Sequence, residues 1–194
     1  MIIHLFGAKT LAGQALINKA SKCYPDLEIR SYSRSIKYGL YADLTDPDSF
    51  EFTSSANSSF LISYAPIWLL APFLKEILRN QPEKLKNIKG VIVCSSSSVI
   101  TKNFSSNKFD KDLVLNLKKA EKSILKTCNF LKIPCKILRP TLIYGHIGEF
   151  KDKNLSKLIS LMRFSLFLPI PSQTGLRQPI HSSQLAEVTL HLVS

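Results

Sequence analysis

The chain has 194 residues, of which 45% are hydrophobic and 21% are charged, and these fractions are those of a soluble globular protein. The sequence contains no internal repeat and no low-complexity linker, so we expect one domain with a sizeable core. The formal net charge of +12 favours an anionic partner, which could be a nucleotide, a nucleic acid or an acidic membrane surface. The charge alone does not choose among the three.

Two features argue against export and against a membrane span. The amino terminus follows a strand pattern without the basic region or cleavage site of a signal peptide. The longest nearly uncharged stretch, residues 60–74, is short for a span and contains two prolines, so it predicts a buried strand followed by a helix. We therefore expect a cytoplasmic protein. Four cysteines without metal-ligand spacing then indicate buried, reduced thiols, namely Cys23, Cys94, Cys128 and Cys135.

The first thirteen residues combine an apolar run, a glycine turn and the start of a helical pattern. Residues 2–6 predict a strand that stops at Gly7, and apolar residues recur at helical spacing from Leu11. In a dinucleotide-binding α/β domain, amides at such a helix start face a pyrophosphate, and glycine lets the backbone approach it. The frame here is Gly7, Thr10 and Gly13, with threonine in the middle glycine position. A strand, turn and helix with no ligand is the alternative.

The rest of the chain continues this alternation of strand and helix patterns. The predicted strands cover residues 27–33, 39–42, 59–63, 90–94 and 135–138, and the predicted helices cover residues 67–79, 110–131, 154–164 and 183–193. Ser182 is predicted to cap the last helix through its hydroxyl. Strands that alternate with helices predict an α/β fold with a doubly wound parallel sheet and helices on both faces.

Polar residues follow several predicted strands, at the edge where parallel sheets bind ligands. Arg34 follows the second strand and suits the 2′-phosphate of NADP, and a solvent-exposed arginine is the alternative. Asp43 could accept a hydrogen bond from an adenine amine, or it could cap the short helix that begins at Pro47. The serines at 95–98 follow a central strand and indicate either a ligand site or a polar turn.

Seven segments together resemble one family, the extended short-chain dehydrogenases/reductases, and within it the NAD-dependent epimerase/dehydratase-like proteins. The segments occur in the order of that family over nearly the whole chain. They are residues 7–13, 33–35, 43–46, 95–99, 119–121, 138–145 and 177–181. Residues 152–155, with 168–171 beyond them, are similar to members that reduce or epimerise nucleotide sugars. The resemblance implies a single Rossmann-like domain over residues 1–194, with 145–181 as a small substrate-region segment.

The resemblance also implies a role for individual residues. It places Gly7, Thr10, Leu11 and Gly13 at the pyrophosphate, Arg34 beside the adenosine ribose, Asp43 and Leu44 at the adenine, and Ala65 near the nicotinamide ribose. Two residues would be catalytic. Ser96 would hydrogen-bond the substrate oxygen, and Lys119 would hold the nicotinamide ribose and lower the pKa of a catalytic tyrosine. The implied cofactor is NADP or NAD, with NADP favoured by Arg34, and no metal is implied.

Three departures from the family pattern bear on function. The tyrosine position of the Y-x-x-x-K motif, four residues before Lys119, is Leu115, which can neither donate nor accept a proton. Ser182 and Ser183 stand where relatives carry an acidic pair. The chain ends at Ser194, soon after the last matching segment, so we expect a reduced region over the substrate.

Three functions are open on this sequence. An oxidoreductase or epimerase would act on a nucleotide-linked or other small carbonyl substrate, with a proton from water, Tyr64, Tyr144 or a relay through Lys119. A catalytically inactive dinucleotide-binding protein with a sensing or structural role is the second, and Leu115 supports it. A nucleic-acid binder is the third, but no RNA-binding aromatic motif or arginine-rich segment favours it. The resemblance further implies homodimers through a pair of helices, one of them residues 110–131.

Overall fold

The computed structural model describes residues 1–50, 58–152, 155–164 and 178–193. Six strands form one sheet in which every neighbouring pair is parallel, in the order β3-β2-β1-β4-β5-β6. The strands are β1 (Ile2–Phe6), β2 (Glu28–Ser33), β3 (Leu40–Tyr41), β4 (Ser59–Ser63), β5 (Ile88–Cys94) and β6 (Cys135–Leu138). The strand order reverses beside β1, and ligands bind at such switch points in open α/β sheets. The predicted α/β fold is confirmed.

Helices cover both faces of this sheet. They are α1 (Leu11–Cys23), α2 (Ile67–Asn80), α3 (Ser98–Thr101), α4 (Lys108–Leu131), α5 (Leu155–Phe164) and α6 (Ser182–His191). Helices α2 and α4 pack together over one face, and α1 and α6 pack together over the other. Within the described ranges, every helix is too short or too polar to cross a membrane.

The core explains why β1 is apolar along its whole length. All five residues of β1 are buried, because the strand lies in the middle of the sheet with helices above and below it. Its one polar side chain, His4, bonds through Nδ1 to the hydroxyl of Tyr32 at 2.9 Å. Burial lowers the pKa of His4 to about 4, so the ring stays neutral at physiological pH.

Short strands follow β6 and connect the sheet to the last helix. Strand β7 (Ile143–Tyr144) pairs in parallel with β10 (Ile180–His181), and β8 (His146–Ile147) pairs antiparallel with β9 (Phe150–Lys151). We call residues 146–151 the hairpin. Its Ile147 packs against the core between the sheet and α1, so the hairpin lies beside the start of α1.

One predicted cap is wrong, and so is the cap considered as one of two roles for Asp43. His181, and not Ser182, caps α6: its Nδ1 accepts from the amide of Ser183, and the side chain of Gln184 accepts from the amide of His181. Ser182 is already the first residue of the helix and is fully buried. Asp46, and not Asp43, caps the short turn Pro47–Ser49.

The expectation for the cysteines is wrong, and some other predictions fall on residues that the structure does not describe. All four cysteines are free thiols, but Cys23 is exposed and Cys94 and Cys135 are only partly buried, so the expectation of four buried thiols is wrong. Cys23 ends α1 at the surface, which the helical pattern did not indicate. The predictions for Asn154, for residues 168–171 and for Arg177 lie outside the described residues.

Candidate functional site

The turn between β1 and α1 depends on two glycines. Gly7 has a φ of +83°, and a Cβ on it would lie 2.6 Å from the amide nitrogen of Ala65. A Cβ on Gly13 would lie 2.3 Å from the carbonyl oxygen of Gly7. Any side chain at either position would therefore displace backbone. The turn packs closely against the first residues of α1 and against the chain just after β4. Three residues that the resemblance assigns to the cofactor, Gly7, Gly13 and Ala65, therefore lie close together.

Thr10 occupies the middle position of the glycine frame because it caps α1. Its Oγ1 accepts from the amide of Gly13 at 3.0 Å and donates to the carbonyl of Gly7 at 2.7 Å. Its φ of −108° is extended, so no glycine is required there. The threonine therefore holds the turn and the first turn of α1 together through these two hydrogen bonds.

The start of α1 offers two backbone donors to a ligand. The amides of Leu11 and Ala12 have no acceptor among the residues that the structure describes, as is usual for the first turn of a helix. The first turn of α1 also carries no acidic residue, so the positive end of the helix dipole is not compensated locally. Free amides, a dipole and glycines that leave room for close approach fit a phosphate group.

A cavity of about 220 Å³ opens at these donors. It is lined by Thr10, Leu11, Ala12, Tyr64, Cys94, Ile143 and Asp152. Asp152 accepts the amides of Leu155 and Ser156 through Oδ1, at 2.6 and 2.9 Å. Burial alone would raise the pKa of Asp152, but the hydrogen bonds from Ser156 and Leu155 outweigh it and lower the pKa. The cavity therefore has backbone donors on one wall and a carboxylate on another.

The ends of β2 and β3 hold the residues assigned to the adenosine. Arg34 is exposed, and Asp43 lies close enough for the guanidinium to help lower the pKa of its carboxyl. The larger cause of that lowering is Thr45, whose amide and hydroxyl both donate to Oδ1, at 2.9 and 2.8 Å. Leu44 is partly buried against the core on the α2 face. The structure therefore brings Arg34, Asp43 and Leu44 to one edge of the sheet.

A group of charged and aromatic residues next to this edge was missed in the sequence. Glu149 at the tip of the hairpin accepts through Oε1 from the ammonium of Lys37 and the hydroxyl of Tyr38, both at 2.9 Å. Lys9 lies over the ring of Tyr38, at 5.5 Å from its centroid, and Phe150 packs edge-on against the same ring. We call Lys9, Lys37, Tyr38, Glu149 and Phe150 the Glu149 clamp. No periodic pattern pointed to it, since scattered lysines usually lie on solvated surfaces.

Ser96 lies in the turn after β5. Its hydroxyl accepts from the amide of Ser98 at 3.2 Å and donates to the hydroxyl of Ser98 at 3.1 Å. These bonds stabilise the turn that leads into α3, so the serine cluster forms a polar turn, and the other interpretation, a ligand site, stays a prediction. Ser96 remains partly exposed at the ligand edge of the sheet, and the structure leaves its assigned role a prediction.

Helix α4 presents Leu115 and Lys119 on its outer side. Leu115 is 53% exposed, and Lys119, one turn later, is also exposed, while Leu117 and Ala120 pack inward. A side chain at 115 therefore contributes little to the core. The last residue of the matched segment, Glu121, is only 4% exposed, so it is buried whereas Leu115 and Lys119 are exposed.

An ion pair attaches α4 to the ligand edge of the sheet. Arg139 follows β6 and binds Glu121 with two hydrogen bonds, Nε to Oε1 at 2.9 Å and a terminal nitrogen to Oε2 at 2.6 Å. Burial would raise the pKa of Glu121, but the bonds from Arg139 hold it below its usual value. Both residues belong to segments that carry the family resemblance, yet the sequence did not predict that they pair.

The two tyrosines considered as alternative proton donors differ in position. Tyr64 is buried and donates its hydroxyl to Thr189 of α6 at 2.8 Å, and burial raises its pKa. Its hydroxyl therefore contributes to the packing of α6, and its role as a proton donor stays a prediction. Tyr144 is partly exposed and packs its ring against His181.

Comparisons with known proteins find similarity in structure and not in sequence. No model of a known protein family matches the chain, and no curated protein matches it. The structure of vestitone reductase from alfalfa is similar with a TM-score of 0.72 at 16% identity, covering 100% of this chain and 73% of that chain.

Two further solved structures give the same picture. The yeast methylglyoxal/isovaleraldehyde reductase Gre2, complexed with NADPH, has a TM-score of 0.71 at 15% identity, covering 98% of this chain and 73% of that chain. The UDP-N-acetylglucosamine 4-epimerase from Bacillus cereus has a TM-score of 0.68 at 14% identity, covering 98% and 71%. The chain therefore has the Rossmann-like fold of the extended short-chain dehydrogenases/reductases, as the resemblance in sequence predicted.

Proposed function

We propose that this protein binds NADP or NAD and works as an oxidoreductase or epimerase on a nucleotide sugar or another small carbonyl substrate. The turn between β1 and α1 carries the proposal. There Gly7 and Gly13 leave no room for a side chain, and Leu11 and Ala12, whose amides have no acceptor among the described residues, line a cavity. A phosphate is the group that such a turn accommodates best.

The cofactor half of the proposal has support from similar folds. Gre2 was solved with NADPH, and a GDP-L-fucose synthetase from Naegleria fowleri, with a TM-score of 0.59 at 15% identity, was solved with NADP. In this chain Arg34, Asp43 and Leu44 would lie along the adenosine, with Arg34 favouring the 2′-phosphate of NADP. Ala65, next to Gly7, would lie near the nicotinamide ribose.

The chemical half depends on Ser96 and Lys119. The bound dinucleotide would supply or accept a hydride. The hydroxyl of Ser96 would polarise the substrate oxygen, and the ammonium of Lys119 would hold the nicotinamide ribose. Because Leu115 cannot exchange a proton, water, Tyr64, Tyr144 or a relay through Lys119 would have to do so, and general acid–base catalysis would be weak.

A second candidate is a dinucleotide-binding protein without catalysis, with a sensing or structural role. The exposed Leu115 favours it, because a side chain that the fold does not need has replaced the expected proton donor. Both candidates share the cofactor and differ only in turnover. A cytoplasmic location, a single-domain organisation and homodimers remain predictions.

One pair of measurements separates these possibilities. NADPH and NADH are titrated into the protein while nicotinamide fluorescence and the melting temperature are followed, with Arg34→Gln as the variant that tests the preference for NADPH. The proposal expects binding, with NADPH tighter than NADH and the difference reduced in the variant. Hydride exchange with a 4-keto nucleotide sugar then favours the enzyme, and binding without exchange favours the second candidate. Salt-dependent RNA retention without dinucleotide binding would contradict both.

A further inference from the structure

The Glu149 clamp joins three parts of the chain that surround the candidate dinucleotide site. Lys9 belongs to the turn between β1 and α1, Lys37 and Tyr38 follow β2, and Glu149 comes from the hairpin after β7. A dinucleotide bound both at the turn and at the end of β2 would run between the elements that these contacts join. The contacts of Glu149 with Lys37 and Tyr38 therefore tie the hairpin to the region where the adenosine end of the ligand would bind.

The clamp brings one carboxylate to the cations at this end of the candidate site. Glu149 contacts Lys37 and Tyr38 directly, and Lys9 lies close enough to help lower the pKa of its carboxyl. The hydrogen bond from Lys37 is the largest cause of that lowering. A carboxylate and a phosphate are bound by the same donors, and two anions do not share them without strong repulsion.

The contacts are weak enough to open. The side chains of Lys37 and Glu149 are 68% and 58% exposed, and ion pairs between exposed groups contribute little to stability. The other end of the hairpin is better anchored, since Ile147 packs into the core and the amide of Asp152 donates to the carbonyl of Gly145 at 3.2 Å. The tip can therefore leave Lys37 without unfolding the base of the hairpin.

We propose that the Glu149 clamp is a latch, in which the carboxylate of Glu149 holds the hairpin beside the candidate site until the phosphate groups of a dinucleotide displace it. This inference rests on the proposed function, because it names the regulation of the same site. The latch lowers dinucleotide affinity at low salt. It also makes the affinity depend on Glu149, which does not itself bind the ligand.

A charge-removing variant tests the latch, with a matched control on another surface. Glu149→Gln removes the carboxylate, and Glu187→Gln removes one that pairs with Lys19 at 3.1 Å between α1 and α6, at a similar exposure. Both variants change the net charge equally. We expect Glu149→Gln to bind NADPH about two- to fivefold more tightly than the wild type at low salt, and Glu187→Gln to bind like the wild type. At high salt the difference should disappear, because salt screens the ion pair.

Each outcome of this titration has one meaning. If no form of the protein binds a dinucleotide, the proposed function fails and the latch fails with it. If all three forms bind with equal affinity, the latch is wrong and the proposed function stands. Weaker binding by Glu149→Gln would show that the carboxylate is part of the ligand site, which also overturns the latch.

Hydrogen exchange of the unmodified protein gives an independent test. Saturating NADPH should slow amide exchange in residues 7–13 and speed it in residues 146–151, because the ligand covers the turn and releases the hairpin. Slower exchange in both segments would mean that the hairpin closes over the ligand, contrary to the latch.

Discussion

The two sides of the candidate site are built in different ways. At the turn between β1 and α1, the essential features are backbone amides, a capping hydroxyl and two glycines that touch neighbouring backbone. On α4, the expected chemistry depends on single side chains at the exposed positions 115 and 119. Substitutions in the turn between β1 and α1 would disturb the fold, whereas substitutions at positions 115 and 119 would not. A chain can therefore keep the geometry of a dinucleotide site while it loses a catalytic group.

The largest expected effect is on turnover. Leu115→Tyr restores the proton donor, and general acid–base catalysis contributes on the order of 10²–10⁴-fold, so hydride exchange with a keto substrate should rise by about that factor. The free energy of unfolding should stay within about 0.5 kcal/mol, because residue 115 is mostly exposed. Leu125→Tyr, at a 40% exposed position of the same helix, is the control and should leave the rate unchanged. Equal rates for all three proteins would place the proton donor elsewhere.

Gly13→Ala should disturb the turn most strongly. The added Cβ meets the carbonyl of Gly7, and overpacking against backbone that cannot move freely costs about 2–3 kcal/mol of unfolding free energy. Gly148→Ala is the control, because its φ of +55° adds strain but no atom of the described residues lies within 4 Å of the added Cβ. It should cost about 1 kcal/mol. Urea unfolding of both variants measures the difference, and equal costs would contradict the close contact at Gly13.

Glu121→Gln tests the attachment of α4 to the sheet. Losing the charge-assisted bonds from Arg139 should cost about 1–2 kcal/mol at neutral pH, reduced because Arg139 is partly exposed. The pKa of Glu121 is lowered in the folded state, so this stability is present above the ordinary glutamate pKa and is lost as the pH falls through the folded-state value. Unfolding curves at several pH values check this, and a difference that persists in strong acid would contradict the ion pair.

Thr10→Ala should have the smallest of these effects. The loss of the cap should cost about 1 kcal/mol, whereas Thr10→Ser, which keeps a hydroxyl, should cost almost nothing. Thermal unfolding of the two variants distinguishes them. If serine and alanine were equally destabilising, the methyl group and not the hydroxyl would be what the turn requires.

Much of the fold could be predicted because buried strands leave a local signal. The predicted strands at 59–63 and 135–138 have the observed bounds. The first is a short apolar run in the middle of the sheet, and the second begins directly after Pro134. The cap at His181 was missed because an adjacent serine is the commoner cap residue, and only the backbone path decides between them.

The site was predictable only where it follows from the turn motif. The glycine frame at 7–13 is local in sequence, so its close contacts could be expected. The Glu149 clamp joins residues more than a hundred positions apart, and its members lie in loops without periodicity. The pairing of Glu121 with Arg139 could not be predicted either. The two residues are far apart in the sequence, and they meet only because α4 packs beside the end of β6.

The amides of Leu11 and Ala12 give the most direct test of the account. Their backbone resonances are followed by nuclear magnetic resonance during a titration with NADPH. If a phosphate binds at the start of α1, the resonances of these two amides and of the other amides in residues 7–13 should show the largest chemical-shift changes. These changes should saturate at the same NADPH concentration as the nicotinamide fluorescence. Saturation that leaves them unmoved, or the absence of any binding, would contradict the central claim.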